Sequence, residues 1–469
     1  MAFYNELNKY QAHVAAIQED GQSITYGDLA EQAQRIGETV GRRCLVFSFC
    51  QNTLGSLIGY VAFLNNRIVP LLLDAQINKE LSENLIEIYR PDYLYVPADQ
   101  RAHFDMESVY EAYGYCLLKT GFAEKTPLYE ELGLLLTTSG STGSPKLVRQ
   151  SYQNIQANAE SIVSYLELNE TEKPVTTLPM NYTYGLSIIN SHLQVGATIL
   201  MTTRPILSKE FWDFMKANGA TSFGGVPYTY EMLKRIRFFK MDLPSLRTFT
   251  QAGGKLSPEL HKEFAEYAME KGKHFVVMYG QTEATARMAY LPYEKALEKY
   301  GSMGIAIPGG KFTLADVNGN AITEPDVVGE LIYEGENVTL GYATQREDLK
   351  NGDERNGRLE TGDMAKMDTD GYFYIVGRKK RFLKLFGNRI NLDEIERMVK
   401  KEFDGLDVAT AGTDAQMLVF ITEEALLDNV GRMIAERTHI NSHAIKVKYI
   451  SQIPRNEAGK TLYKLLPQE

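Results

Sequence analysis

The chain of 469 residues carries 50 basic and 60 acidic side chains, a formal net charge of −10, and is long enough for about two to four domains. This acidic balance disfavours nonspecific binding to nucleic acids or to anionic membrane surfaces. The cysteines, Cys44, Cys50 and Cys116, are an odd number without metal-type spacing, which predicts reduced core residues of a cytoplasmic protein.

The N-terminal residues, MAFYNELNKYQAH, lack a basic stretch followed by an apolar one, so we expect no secretory signal. The most hydrophobic stretch, LIGYVAFLNNRIVPLLL, is interrupted by Asn65, Asn66 and Arg67. A membrane-spanning helix needs about 20 consecutive apolar residues. This stretch therefore predicts no membrane span.

Short apolar runs alternate with helix-like stretches through the first two thirds of the chain. In chain order they include CLVFSFC, NTLGSLIGYVAFLNN, IVPLLL, DYLYVP, ATILMTT and SKEFWDFMKANG. This order is typical of strands that are joined by helical crossovers. It predicts an α/β fold with layered, largely parallel sheets.

A polar loop interrupts this rhythm, because eight Ser, Thr and Gly residues follow one another from Thr137 to Ser144. The run GLLLTT before it predicts a buried strand, and SYQNIQANAESIVSYLEL after it has helical spacing with Ser151 as N-cap. Glycines can turn backbone N–H groups inward, and Lys146 adds a positive charge. Strand, glycine loop, lysine and helix predict an anion cradle, although the spacing excludes a Walker loop.

The pattern changes towards the C-terminus. From about Lys311, hairpin-like strands with Asn-Gly and Asp-Gly turns predict a smaller β-rich part. Beyond Gly377, NLDEIERMVKKEF and EALLDNVGRMIAERT have helical spacing, whereas DVATAGT, QMLVFIT and AIKVKYI are strand-like. We predict a large N-terminal domain, residues 1–377, and a small α+β C-terminal domain, residues 378–469, with Arg378–Arg381 as the linker.

Six motifs occur in a fixed order: LTTSGSTGSPKLV, YGQTEAT at 279–285, GELIYEGENVTLGY at 329–342, TGD at 361–363, GRKKRFLKLFGNRI at 377–390 and PRNEAGK at 454–460. In this order and placement they resemble the adenylate-forming superfamily, which comprises acyl- and aryl-CoA synthetases, the adenylation domains of peptide synthetases, and firefly luciferase. Six motifs in register are far more specific than any one of them. The resemblance extends from SITYGDL at 23–29 to the lysine near the C-terminus.

The resemblance implies an ATP-dependent ligase. A carboxylate would attack the α-phosphate of ATP, giving an acyl-adenylate and pyrophosphate, and a thiol would then take the acyl group. Because both reactants are anionic, such a site needs basic side chains, backbone amides and a metal ion. ATP, Mg²⁺ and coenzyme A are therefore the implied cofactors, and a small carboxylic acid is the implied substrate.

The resemblance also implies roles for individual residues. The polar loop would grip the β- and γ-phosphates, Tyr279 would lie against the adenine, Thr282 would bind the α-phosphate and Glu283 would hold Mg²⁺. Asp363 would accept hydrogen bonds from the ribose hydroxyls. The implied nucleotide-binding residues are Thr138, Ser139, Gly140, Ser141, Thr142, Gly143, Lys146, Gly253, Gly254, Tyr279, Gly280, Thr282, Asp363 and Arg378.

Three further residues carry the implied domain movement. Lys460 resembles a mobile lysine that bridges the substrate carboxylate and the α-phosphate, and it would act with Glu283 and Thr282 in catalysis. Lys380 stands at the hinge about which a mobile C-terminal domain would rotate, and Gly387 would then line the route of the thiol. Taken alone, Glu283 is typical of a solvated helix start and Lys460 of surface charge; the register of the motifs favours the functional roles.

The segment LPMNYTYGLS, at 178–187, bears on the acyl substrate. Amino-acid-activating relatives usually carry Asp here, and its absence disfavours an amino acid. The segment often has His where Tyr182 stands, and Glu360 stands where Arg or Lys is frequent. The residues expected to wall the acyl pocket are Tyr182, Tyr184, Gly185, Gly225 and Val226; this lining suits a fatty, short-chain or aromatic acid.

Two alternatives remain open at this stage. The acyl acceptor could be the phosphopantetheine of an acyl carrier protein in place of coenzyme A. The chain could also be an inactive nucleotide-binding scaffold, although Lys146, Glu283, Asp363, Arg378 and Lys460 are all present. We expect no nucleic-acid partner.

Overall fold

The computed structural model describes residues 2–122, 126–137, 146–385, 388–413, 415–438, 440–455 and 461–467. Its backbone contacts divide the chain into two compact units. The first unit is Met1–Phe312 with Tyr333–Leu359, and the second is Thr313–Ile332 with Glu360–Glu469. The predicted boundary at residue 377 concerns where the chain would pivot, which one conformation does not test, so it stays a prediction.

In the described part of the first unit, two large sheets contain most of the strands. The nine-stranded sheet has the spatial order Ile305–Ala306, Ala289–Tyr290, His274–Tyr279, Thr248–Gln251, Ser222–Gly225, Pro174–Val175, Ile199–Met201, Val14–Gln18 and Ser23–Thr25. The eight-stranded sheet has the order Gly341–Ala343, Leu147–Ser151, Leu132–Thr137, Val69–Asp74, Leu45–Cys50, Tyr93–Pro97, Tyr115–Lys119 and Glu107–Ala112. Their central strands pair in parallel, which confirms the predicted α/β fold.

Helices connect and cover these strands. They are Tyr26–Val40, Leu54–Asn65, Lys79–Tyr89, Tyr152–Leu166, Thr183–Gln194, Lys209–Ala217, Pro227–Arg235 and Pro258–Glu270. Leu54–Asn65 belongs to the most hydrophobic stretch of the sequence, and every residue from Leu54 to Leu64 is buried, so this stretch forms a core helix. Among the described residues, no helix has the length and apolar character that crossing a bilayer requires.

The polar loop connects two strands of a hairpin. Leu132–Thr137 is a buried strand, as predicted, but the chain then forms a second buried strand, Leu147–Ser151, antiparallel to the first. The predicted helix follows as Tyr152–Leu166, and its N-cap Ser151 accepts a hydrogen bond from the backbone N–H of Asn154. The expected order of strand, loop and helix therefore lacked one strand.

The second unit contains most of a five-stranded sheet and a smaller α+β part. The five strands have the spatial order Ala321–Ile322, Lys311–Ala315, Gly329–Glu334, Arg358–Met367 and Phe373–Arg378. The α+β part comprises the hairpin Phe382–Leu385 and Asn388–Asn391, the strands Val408–Thr413, Gln416–Ile421 and Ile445–Tyr449, and the helices Leu392–Glu402 and Leu427–Thr438. Its core includes Ile395, Val399, Val419 and Ile434. These elements confirm the predicted β-rich section and the predicted α+β segment.

Candidate active site

Lys146 lies at the end of the polar loop, where the chain enters the strand Leu147–Ser151. The neighbouring strand, Gly341–Ala343, pairs with this strand in an antiparallel sense and places Tyr342 opposite Val148. As a result, the Nζ atom of Lys146 lies 3.3 Å from the centroid of the Tyr342 ring, a cation–π contact. The other loop residues in the predicted nucleotide site, Thr138, Ser139, Gly140, Ser141, Thr142 and Gly143, lie outside the described residues.

The YGQTE motif forms a sharp turn at the end of a central strand. The strand His274–Tyr279 ends at Tyr279, and Thr282–Ala284 forms a single 3₁₀ turn. Gly280 permits this turn, because a Cβ atom on it would lie 1.6 Å from the carbonyl oxygen of Ala286. Tyr279 also accepts a hydrogen bond at its hydroxyl from Nε2 of Gln281, at 3.1 Å. The turn therefore fixes the backbone positions of Thr282 and Glu283.

The half-buried Glu283 is held at both its side chain and its backbone. Its Oε1 atom accepts a hydrogen bond from the hydroxyl of Tyr342 at 2.7 Å. Its carbonyl oxygen accepts hydrogen bonds from the Thr339 hydroxyl at 2.9 Å and from Nη1 of Arg355 at 2.9 Å. Burial, together with the charge of Glu283, raises the pKa of Tyr342 to about 12, so this phenol stays a hydrogen-bond donor at neutral pH.

Tyr342 therefore brings together two residues that sequence analysis placed in the nucleotide site. Its ring contacts Lys146 and its hydroxyl contacts Glu283. The guanidinium carbon of Arg355 lies 4.6 Å from the same ring centroid. Tyr342 ends the motif GELIYEGENVTLGY, but the family resemblance implied no role for it, and none of the six motifs contains Arg355.

The predicted acyl-pocket residues lie around one apolar cluster. Tyr184 and Val226 are buried in this cluster with Leu178, Ile188, Ala252, Val276 and Met278, and Tyr182, Tyr165, Leu166 and Tyr290 pack against it. Gly185 lies in the first turn of the helix that carries Tyr184, and Gly225 ends the strand before Val226. The structure thus brings these five residues together.

Gly253 and Gly254 follow the strand Thr248–Gln251 and lie beside this cluster. Gly253 has a positive φ of 83°, and a Cβ atom there would lie 2.5 Å from the hydroxyl of Tyr182, so a larger residue would displace that phenol. The carbonyl oxygen of Gly254 accepts a hydrogen bond from Nε2 of Gln251 at 2.9 Å. The glycines predicted for the nucleotide site and the tyrosine predicted for the acyl pocket are therefore neighbours.

In the second unit, Asp363 and Arg378 form an ion pair. They lie opposite each other on paired antiparallel strands, with Nε of Arg378 2.7 Å from Oδ1 of Asp363. Asp363 is buried, whereas Arg378 and the predicted hinge residue Lys380 are exposed. Glu360, whose negative charge departs from the family pattern, is exposed as well.

The described residues on either side of Lys460 make contacts within the second unit. Lys460 itself and Gly387 lie outside the described residues. Arg455 forms a β-bridge with Thr461, and the N–H of Leu462 donates to the carbonyl of Pro454 at 2.8 Å. Further along, the hydroxyl of Tyr463 donates to Oε2 of Glu396 at 3.0 Å, and Cζ of Arg381 lies 3.7 Å from the centroid of the Tyr463 ring.

The chain is similar to known enzymes over most of its length. A family model described as AMP-binding enzyme matches residues 3–343. Peroxisomal OPC-8:0-CoA ligase 1 of Arabidopsis thaliana is 29% identical over 359 residues, which cover 71% of this chain and 63% of that protein. The 2-succinylbenzoate–CoA ligase of Oceanobacillus iheyensis is 25% identical over 469 residues, which cover 94% of this chain and 93% of that protein. The chain spans between 52% and 66% of the length of four curated relatives that it matches, the Arabidopsis ligase among them.

Solved structures share the fold over the whole chain. The O-succinylbenzoate coenzyme A synthetase MenE of Bacillus subtilis, in complex with AMP, has a TM-score of 0.80 at 21% identity, covering 100% of this chain and 98% of that one. ATP-bound MatB of Rhodopseudomonas palustris has a TM-score of 0.78 at 21% identity, covering 99% and 98%. The match of the family model to residues 3–343 confirms the resemblance that the six motifs indicated, and these structures agree with it in fold.

Proposed function

The chain belongs to the family of AMP-binding enzymes, and on this premise we propose that it activates a carboxylic acid as an acyl-adenylate and transfers the acyl group to coenzyme A. In the first step a carboxylate oxygen of the acid attacks the α-phosphorus of ATP, and pyrophosphate leaves. In the second step the thiol sulfur of coenzyme A attacks the acyl carbon, the thiol proton is lost, and AMP leaves. Whole-chain similarity to CoA ligases supports both steps.

The observation that carries this proposal is the convergence of Lys146 and Glu283 on Tyr342. A triphosphate needs cationic donors for its oxygens and a carboxylate for its metal ion, held a short distance apart. Two motifs that are more than 130 positions apart supply these groups to one tyrosine. A structural role alone would not require that one tyrosine contact a cation with its ring and a carboxylate with its hydroxyl.

The residues present fit a bound Mg²⁺. Mg²⁺ is usually held by one or two carboxylates together with substrate phosphates and water. Glu283 supplies one carboxylate with a fixed hydroxyl neighbour, and the described residues contain no group of three or more His, Cys, Asp or Glu side chains suited to a metal. When bound with ATP, the ion would offset phosphate charge; Glu283 would hold it.

The chain's own residues divide the remaining work. Lys146 would donate to phosphate oxygens, Thr282 to the α-phosphate, and Asp363 would accept from the ribose hydroxyls. The aromatic cluster around Tyr182 and Tyr184 would bind the acyl group and exclude water from the reacting atoms.

Lys460 would complete the adenylation site, and rotation about Lys380 would then replace it with the segment containing Gly387. The Arg455–Thr461 bridge and the Tyr463–Glu396 hydrogen bond support this role, because they attach the described residues on either side of Lys460 to the second unit. We expect Lys460→Ala to abolish acid-dependent ATP–pyrophosphate exchange with little change in ATP affinity. Lys464→Ala, four residues further along on an exposed turn, is the matched control and should keep full exchange.

A decisive test is ATP–pyrophosphate exchange over a graded panel of carboxylic acids, followed by addition of coenzyme A. Formation of AMP and an acyl thioester only when coenzyme A is present supports the ligase. Thioester on a phosphopantetheinylated carrier protein, with coenzyme A inert, would favour the carrier-loading alternative. Absence of exchange with every acid would favour an inactive scaffold.

We also propose a cytoplasmic location for this reaction. Cys44, Cys50 and Cys116 are buried and free of disulfide bonds, and unpaired core thiols are typical of reducing compartments. Fractionation of cells that express the tagged chain would test this assignment, and recovery with an organelle would contradict it.

A further inference from the structure

The described part of the chain buries three arginine side chains, Arg149, Arg287 and Arg346. Arg149 pairs with Glu354 at 2.9 Å, and Arg346 lies 3.8 Å from the carboxylate of Asp92. Arg287, which is 2% exposed, forms an ion pair with no described carboxylate. Arginine is almost never fully buried unless it is paired, so Arg287 needs a separate explanation.

The contacts of Arg287 are all to neutral groups. Its Nε donates to the hydroxyl of Ser187 at 3.1 Å, and its Nη1 donates to the hydroxyl of Tyr165 at 3.1 Å and to the sulfur of Met278. The guanidinium carbon lies 4.6 Å from the centroid of the Tyr184 ring. These contacts orient the guanidinium, but none of the described residues supplies a counter-ion for its charge, which is costly in a buried setting.

Arg287 lies at the acyl pocket. Tyr184 and Met278, which it contacts, are buried members of the apolar cluster that also contains Val226, and Tyr182 packs against the same cluster. The guanidinium is thus placed at one side of the aromatic lining. A ligand that extends through this lining would bring its far end towards a positive charge.

The lining of a narrow cavity beside the cluster would suit a ligand whose far end is polar. Arg287, His192, Thr250 and Glu172 line it, among other residues. Nδ1 of His192 lies 2.8 Å from the carbonyl oxygen of Ile188, while its buried Nε2 has no hydrogen-bond partner among the residues that the structure describes. Burial lowers the pKa of His192 to about 4, so this ring stays neutral.

Glu172 does not neutralise the cavity charge. Its carboxylate accepts from Nη2 of Arg247 at 2.8 Å and from the hydroxyl of Thr221. Glu172 and Arg247 therefore offset each other, and His192 is neutral. Arg287 remains the uncompensated positive charge next to the acyl pocket in the described structure.

We propose that Arg287 binds a second carboxylate at the far end of the acyl substrate, so that the acid this protein activates is a dicarboxylic acid. The inference rests on the proposed function and names its substrate class. A guanidinium matches a carboxylate with two parallel hydrogen bonds, and the aromatic cluster would cover the carbon skeleton between the two acid groups. An acid without the second carboxylate would leave the guanidinium unpaired, which is a strong basis for rejection.

The test compares matched substrates in acid-dependent ATP–pyrophosphate exchange. Each dicarboxylic acid of an aliphatic and an aromatic series is paired with its monomethyl ester and with the monocarboxylic acid of equal length. We expect at least one dicarboxylic acid to exceed its ester about a hundredfold in kcat/KM. Arg287→Met should lower this ratio at least about tenfold, and Arg287→Lys should retain part of it.

The ratio is measured on one enzyme preparation for both substrates, so a variant that folds only in part still reports on recognition. Arg346→Met, which removes another buried arginine of the same unit, is the control and should leave the ratio unchanged. If exchange occurs but every monocarboxylic acid equals its dicarboxylic partner, or if Arg287→Met leaves the ratio intact, Arg287 is structural and the inference is wrong. If no acid supports exchange, the proposed function itself fails.

Discussion

Removing the hydroxyl of Tyr342 should impair Mg²⁺-dependent adenylation while leaving the fold intact. Tyr342→Phe deletes the donor to Oε1 of Glu283 at 2.7 Å but keeps the ring that contacts Lys146. An ionised carboxylate has about four lone-pair sites, so one bond from the phenol still leaves room for a metal ion. The phenol would therefore hold the carboxylate in one orientation as the ion binds.

The size of the effect follows from this bond. A hydrogen bond to a charged group contributes about 1.5 to 3 kcal/mol, and the lower end applies because Tyr342 and Glu283 are half-buried. About 1.4 kcal/mol corresponds to a factor of ten in an equilibrium constant. We expect Tyr342→Phe to raise the Mg²⁺ concentration for half-maximal pyrophosphate exchange about tenfold, with little change in KM for the acid.

The assay titrates Mg²⁺ against exchange at saturating ATP and acid. Tyr26→Phe is a matched control, because it deletes a phenol hydrogen bond of 2.8 Å, to the carbonyl of Ala197, in the core of the same unit. The control should leave the Mg²⁺ dependence unchanged. Tyr342→Leu removes the ring too and should additionally raise KM for ATP through Lys146.

An unchanged Mg²⁺ requirement in Tyr342→Phe would refute this reasoning. The same conclusion would follow if Tyr26→Phe shifted the requirement equally, because the effect would then come from general loss of stability. Glu283→Gln should give a larger defect than Tyr342→Phe, since it removes the negative charge itself.

Three further predictions concern other positions. Gly280→Ala should reduce exchange at least about tenfold, because the added Cβ would lie 1.6 Å from a carbonyl oxygen and displace the turn. The control is Gly121→Ala, whose added Cβ has no described atom within 4 Å, and it should leave exchange unchanged. Burial lowers the pKa of His261 from 6.5 to about 4. Between these two pH values, His261 is protonated in the unfolded chain and neutral in the folded chain. The free energy of unfolding should then fall with decreasing pH in this window by about 1.4 kcal/mol per pH unit for this group. In urea unfolding, His261→Gln should show a dependence of this free energy on pH that is weaker by about one proton. An equal dependence in both proteins would contradict the assignment. Asp363→Asn should raise KM for ATP about tenfold through loss of a charged acceptor, whereas the exposed Glu360→Gln should not, and similar effects of both changes on KM would count against a ribose-binding role.

Local patterns in the sequence predicted most of the fold correctly. Alternating apolar runs and helical spacing identify elements whose stability depends on neighbours in sequence, as in the helix Tyr152–Leu166 and its Ser151 cap. The strand Leu147–Ser151 was missed because its sequence, LVRQS, contains a charged and two polar residues. Its Arg149 is nevertheless buried, because it donates to the carbonyls of Tyr342, Asn351 and other residues about 190 to 200 positions away, which no local pattern can reveal.

The candidate site could be predicted only in part for the same reason. The motifs identified Lys146 and Glu283, but the tyrosine that joins them depends on the pairing of Gly341–Ala343 with Leu147–Ser151. Arg287 gave no sequence signal, because its significance is that it forms no ion pair with a described carboxylate. Long-range pairing and missing partners are properties of the folded chain.

The bridge between Arg455 and Thr461 bears on how Lys460 would reach its proposed site. Consecutive Cα atoms are about 3.8 Å apart, and Lys460 directly precedes Thr461 in the sequence. In the proposed cycle, its ammonium group would therefore move farther than the length of its side chain only together with the residues that anchor Thr461. Under that proposal, the rate of the domain movement would limit both half-reactions, whereas a loose terminal segment would depend on diffusion of the lysine alone.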